Sequence, residues 1–386
     1  MTRRWALPLA AVLAAACNGG QKRAADDASA GAPAGGAGAK ATPAGSAGAG
    51  AAPDGGAPGL EATPPSCAVP LSSRQGSSPI DGMTGCGAEG DSCCTSLEVT
   101  GGIYYRTYAA TDGMPTGLAD PATLSTFRLD KYEVTVGRFR RFVSAWNQGD
   151  GYTPEVGSGK HSHLNAGLGL ANSGAEGTYE LGWTDSDNKR IAPTDENLGL
   201  CGAYATWTPT PSSQENLPIN CVNWWEAYAF CIYDGGFLPS EAEWKYAASG
   251  GSEQRQFPWG GAEPGVDNQY AIYGCCYPAG AGNCSNEWCT GARNIAPVGT
   301  ASLGAGLWGQ LDLAGSFWEW NQDYYPDAAG FAVPCTNCAY LKPTATRVVK
   351  VGNFAEGAYY LPTWLRYDYD PSNREIYLGF RCARAP

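Results

Sequence analysis

Residues 218–260 read PINCVNWWEAYAFCIYDGGFLPSEAEWKYAASGGSEQRQFPWG, and this stretch decides the fold. Asn223 has the chemistry of a helix N-cap, because its side-chain oxygen can accept from amides that a first helical turn leaves free. The helix it opens runs from Trp224 to Asp234, with Trp224, Tyr228 and Cys231 on one face. Gly235-Gly236 stops it. Ser240 and Glu243 then form a capping box, so a second short helix reaches about Ala248. Gly250-Gly251 ends that helix, and Phe257-Pro-Trp-Gly260 turns the chain back through an aromatic corner.

Outward from this stretch, composition limits what the chain can be. It has 386 residues with 53 Gly, 27 Pro and 11% aromatics, which suits loops that need glycine around a core filled by rings. The net charge of −12 and the lack of a basic patch argue against nucleic acid as a partner. Only His161 and His163 occur as histidines, which argues against a His-rich iron or zinc enzyme. Within Asp150 to Asn216, a long loop-like insertion, these two read as an exposed polar loop. The 15 cysteines point to an oxidising compartment.

Residues 1–16 read as a signal peptide. Arg3 and Arg4 precede an apolar run of about 18 Å as helix, too short for a ~30 Å hydrocarbon core. Cys17 follows Ala14-Ala15-Ala16, as at a bacterial lipoprotein cleavage site, and is the expected lipidation site. Asn18 rather than Asp follows it, which favours the outer membrane of the cell envelope. Residues 17–66 then form an Ala-, Gly- and Pro-rich tether with a span of roughly 35–42 Å. Residues 67–101 are a cysteine-rich collar, where Cys67, Cys86, Cys93 and Cys94 read as two disulfides. Residues 102–386 form the main domain. Strands are expected at Ile103–Tyr108, Phe127–Val134, Arg347–Val351 and Tyr377–Cys382. Thr135 caps a helix that carries Phe139, Phe142, Val143 and Trp146.

Seven motifs follow one another in order. They are Asp130-Lys-Tyr-Glu-Val-Thr135, Leu217-Pro-Ile-Asn-Cys-Val-Asn-Trp224, Gly236-Phe-Leu-Pro-Ser-Glu-Ala-Glu-Trp244, Tyr246-Ala-Ala, Phe257-Pro-Trp-Gly260, Asp312-Leu-Ala-Gly-Ser-Phe-Trp-Glu-Trp320 and Leu378-Gly-Phe-Arg-Cys-Ala383. The set resembles the formylglycine-generating enzyme family, the sulfatase-modifying factor domain, over about residues 100–386. The resemblance implies an α+β fold, irregular and low in secondary structure, with a C-type-lectin-like core. It also implies a Cys231–Cys382 disulfide, which would close a loop of about 150 residues and contribute about 5 kcal/mol.

Active members of the family resemble copper-dependent oxidases that convert a sulfatase cysteine to formylglycine. Two cysteines hold their copper(I), which soft thiolates suit. Here those positions fall on Glu356 and Leu361, and the preceding serine position is Asn353. Copper oxidation at this place is therefore not expected. The thiols of Cys284-x4-Cys289 and Cys335-Cys338 read as disulfides. The resemblance further implies structural calcium at Asn268 and at the loop of Ser316 and Glu319. The alternative is that Asn268 caps a turn and Glu319 is a satisfied buried carboxylate. The resulting expectation is a surface-anchored, non-oxidase domain that binds or scaffolds a protein or glycan. Tyr359, Tyr360, Trp364 and Tyr367 are its candidate ligand surface, unless these rings are core. The alternative function is a formylglycine-forming oxidase with a relocated site. A hydrolase built on Glu319 and Asp323 has little behind it.

Overall fold

The computed structural model describes residues 63–68, 81–111, 114–278, 289–326, 331 and 335–386. The expected signal peptide, Cys17, most of the tether and Cys284 lie outside the described residues. No described helix is long and apolar enough to cross a membrane.

The strands are β1 (Ser96–Val99), β2 (Gly102–Thr111), β3 (Met114–Leu124) and β4 (Phe127–Asp130), followed by helix α1 (Val136–Trp146). Next come β5 (Ala171–Asn172) and the helices α2 (Asp195–Leu198), α3 (Trp224–Tyr233) and α4 (Glu241–Ala248). The chain ends with β6 (Trp318–Tyr324), β7 (Cys335–Thr336), β8 (Cys338–Ala339), β9 (Arg347–Lys350), β10 (Arg366–Tyr369), β11 (Leu378–Gly379) and β12 (Ala383–Arg384). Small sheets join distant segments. The order β10-β9-β6-β11 builds the central one, and β1-β4-β12 ties the collar side of the chain to its C-terminal end.

The expected caps form. Thr135 accepts from the Arg138 amide at 3.3 Å and starts α1. Asn223 accepts from the Glu226 amide at 2.9 Å, and the Glu226 carboxylate accepts from the Asn223 amide at 3.2 Å. Ser240 and Glu243 repeat this exchange at α4. However, α3 does not bury one face alone. Every residue from Trp224 to Cys231 is buried, because α1 lies on one side of it and the central sheet on the other. Cys231 bonds to Cys382 across 151 residues.

The collar cysteines pair as Cys67–Cys94 and Cys86–Cys93. Cys201–Cys221, Cys275–Cys289 and Cys335–Cys338 are also bonded. Three local expectations change. The expected strand at Tyr377–Cys382 shortens to β11, and β12 starts only after it, since the chain crosses from one sheet to another with Phe380, Arg381 and Cys382 fully buried. The ribbon partner β3 was hidden by Pro115, Pro121 and Gly117, residues that ordinarily weaken a strand.

The third change concerns His161. It is fully buried rather than in an exposed polar loop. Its Nδ1 lies 3.0 Å from Glu180 Oε2 and its Nε2 lies 3.1 Å from Glu243 Oε2. Its ring centroid sits 3.7 Å from that of Phe237. Burial alone would lower its pKa, but the Glu243 and Glu180 carboxylates overcome this and raise it to about 10. The imidazolium therefore fastens the 150–216 insertion to the first turn of α4. Leu164, Leu170, Trp183 and Trp207 add buried anchors along the same insertion.

Candidate functional site

The segment after β9 turns on local chemistry. Val351 has φ of 50°, and a Cβ at Gly352 would lie 2.7 Å from the Tyr360 Cβ, so only glycine fits there. The Asn353 Oδ1 accepts from the amides of Ala355 at 2.8 Å and Glu356 at 3.2 Å. Asn353 Nδ2 then donates to Glu356 Oε2 at 2.9 Å. From β6, Trp318 Nε1 donates to the same oxygen at 3.0 Å. No cation pairs with this carboxyl among the described residues. Burial raises its pKa to about 7, and the Trp318 hydrogen bond only partly opposes the rise. Leu361 is fully buried, packed in the cluster that holds Val351 and Phe257.

The candidate ligand surface divides in two. Tyr360 and Tyr367 flank Trp318, with centroids 6.3 and 5.8 Å from it. Tyr367 is half exposed and Tyr359 is 76% exposed. Tyr359 and Trp364 instead line a pocket of about 350 Å³ with Gln256, Phe257 and Glu263. Trp364 also meets Tyr108 edge-on at 5.6 Å. The rings at Tyr359 and Tyr367 are thus surface, whereas Leu361 is core.

The residues present do not fit copper. Position 356 offers a hard carboxylate, position 361 an alkyl group, and every described cysteine is disulfide-bonded. At the proposed calcium loop, Ser316 Oγ donates to Glu133 Oε2 at 2.5 Å. Glu319 lies in a bidentate pair with Arg381, whose Nε donates to Oε2 at 2.8 Å and Nη2 to Oε1 at 2.7 Å, and accepts from Trp244 Nε1 at 2.7 Å. These oxygens are engaged inside the protein, so Ser316 and Glu319 do not fit an ion. Asn268 differs. Its Nδ2 donates to the Cys276 carbonyl at 3.1 Å, and its buried Oδ1 has no hydrogen-bond partner. One orphaned hard oxygen suits a calcium ligand. No group of three or more His, Cys, Asp or Glu gathers as a metal site among the described residues.

Asp323, paired with Glu319 in the hydrolase reading, accepts from the amides of Glu241 and Tyr340, both at 2.7 Å. Burial and the nearby Glu241 raise its pKa to about 7. It works as an internal acceptor. Sequence reasoning missed Glu133, which accepts from Ser316 and from the Phe317 amide at 3.1 Å, and whose pKa burial pushes well up.

Sheets this small, stitched around α3 and α4 with the Cys231–Cys382 bridge, define a mixed α/β fold that is low in helix. Residues 88–386 match the sulfatase-modifying factor enzyme 1-like domain, and the chain belongs to that family. It is 28% identical to the formylglycine-generating enzyme of Thermomonospora curvata, over 75% of this chain and 93% of that one. It is 26% identical to the mouse inactive C-alpha-formylglycine-generating enzyme 2, over 60% of this chain and 70% of that one. The chain spans 50% of the mouse and 66% of the bovine formylglycine-generating enzymes. Among solved structures, PvdO from Pseudomonas aeruginosa aligns with 75% of this chain and 94% of its own, at 18% identity and TM-score 0.46.

Proposed function

We propose that this is an envelope-anchored, non-oxidase member of its family whose role is to bind a protein or glycan. The supporting observation is the chemistry at 356 and 361. A protonatable carboxyl held by Trp318 and Asn353, and a buried leucine, stand where the resemblance calls for thiols. The binding surface is the aromatic rim of Tyr359, Tyr360, Trp364 and Tyr367. Cys17 carries the lipid that holds the domain at the outer membrane. Calcium at Asn268 has a structural part in this reading.

The decisive experiment incubates the protein with copper and a C-x-P-x-R peptide and reads the peptide mass. No aldehyde and no tight copper(I) binding are expected. Conversion of the peptide overturns the reading and restores an oxidase with a relocated site. Fatty-acid labelling that is lost in Cys17→Ala tests the anchor. A melting temperature that drops with EGTA in the wild type, but not in Asn268→Ala, tests the calcium.

A further inference from the structure

A second pocket lies between β6, β9, the start of α3 and the 179–190 segment, with a volume of about 700 Å³. Tyr179, Arg190, Trp225, Gln322, Tyr324 and Arg347 are among its walls. The geometry points to a binding site there for a small hydroxylated organic anion of the sugar-acid class, with Arg347 as the partner of the anion.

Arg347 is the key residue. It is 6% exposed. Its guanidinium carbon sits 3.7 Å from the Trp224 ring centroid and 3.4 Å from that of Tyr324. Three other deeply placed arginines hold carboxylates: Arg138 with Asp130 and Asp234, Arg374 with Glu226, and Arg381 with Glu319. Arg347 has no ion-pair partner among the described residues. Its Nη1 donates only to the Gln322 carbonyl, and its buried Nε has no hydrogen-bond partner. Asp323 and Asp187 act on it only from beyond contact distance, and burial still disfavours its charge. A buried cation with no carboxylate in contact is unfavourable, and an anion entering the pocket relieves that.

The local charge agrees. Two acids line the pocket, Glu180 and Asp187. Glu180 is held by His161, and Asp187 accepts from Thr184 Oγ1 at 2.7 Å and Trp225 Nε1 at 3.1 Å. Lys189, Arg190 and Lys342 are exposed at the rim, and Arg190 stacks 4.3 Å over Trp225. A chain of net charge −12 thus presents unpaired positive charge at this opening.

Gln322 narrows the ligand class. It is 6% exposed, and its Oε1 is buried with no partner. That oxygen needs a donor. Sulfate brings acceptors only, whereas a carboxylate that also carries hydroxyls supplies both. The rings of Trp225 and Tyr179 offer an apolar face of the kind that such sites present to a ligand.

Titration calorimetry of the purified protein with galacturonate and glucuronate tests this. At least one should bind about tenfold more tightly than galactose, sulfate or benzoate. Arg347→Gln should abolish binding. Arg190→Ala provides a second test at an exposed site that the fold does not depend on, and should weaken binding about threefold and reduce its salt dependence. Equal binding of galactose overturns the anion assignment. Equal binding of sulfate or benzoate overturns the hydroxylated class. No uronate binding up to roughly 10 mM, or an unchanged affinity in Arg190→Ala, overturns the site itself.

Discussion

Glu319 and Glu356 each receive an indole N–H, from Trp244 at 2.7 Å and from Trp318 at 3.0 Å. There the likeness ends. Glu319 also holds the guanidinium of Arg381, which in turn donates to the carbonyls of Asp130, Lys131 and Leu311. That knot joins β6 to the C-terminal segment and the β4 region, and it makes Glu319 part of the scaffold. Glu356 has an amide and an indole but no cation among the described residues, and Trp318, which donates to it, lies against the partly exposed Tyr360 and Tyr367. In this molecule a buried charge that is paired holds the fold. Glu356, a carboxyl that burial inclines to stay protonated, and Arg347 have no ion-pair partner among the described residues, and neither is tied into such a knot.

The strongest way to break this contrast is Arg381→Met. It leaves Glu319 buried without its counter-charge and should lower unfolding stability by about 3–5 kcal/mol, read from urea midpoints. Adding Glu319→Gln should recover part of that loss. If Arg381→Met is tolerated within about 1 kcal/mol, the knot is not structural.

His161→Gln comes next. It leaves Glu180 and Glu243 facing each other, at about 3 kcal/mol near pH 6. The folded imidazole is raised from 6.5 to about 10, so its contribution is full below pH 6.5 and fades as pH rises towards 10. The gap between wild type and variant should therefore narrow across that window. A gap that stays constant with pH means that His161 is held neutral.

The helix caps were legible because their partners lie three residues apart in the sequence. The same holds for the order of the family motifs and, through the resemblance, for the Cys231–Cys382 bridge. The two residues of the His161 ion cluster were not legible as partners, since Glu180 and Glu243 lie 19 and 82 residues away. Glu133 and Ser316 are 183 residues apart and share no local pattern. The loss of the thiols could be read at 356 and 361. What replaced them could not, because the state of Glu356 is set by Trp318 on another strand.

The smallest effect is the most diagnostic. Burial raises Glu356 from 4.5 to about 7, above its value in the unfolded chain. The folded protein therefore holds this proton longer than the unfolded chain, and stability falls as pH rises from 4.5 through 7. Glu356→Gln keeps an acceptor for Trp318 and removes the titration. The two proteins should match near pH 4, diverge between pH 4.5 and 7 and keep a constant gap above that, with the variant more stable by about 1 kcal/mol once partial solvent screening is allowed for. Thermal melts at several pH values decide it. A wild-type advantage at pH 8 would mean that the carboxylate has a cation partner in solution, and the contrast with Glu319 would collapse.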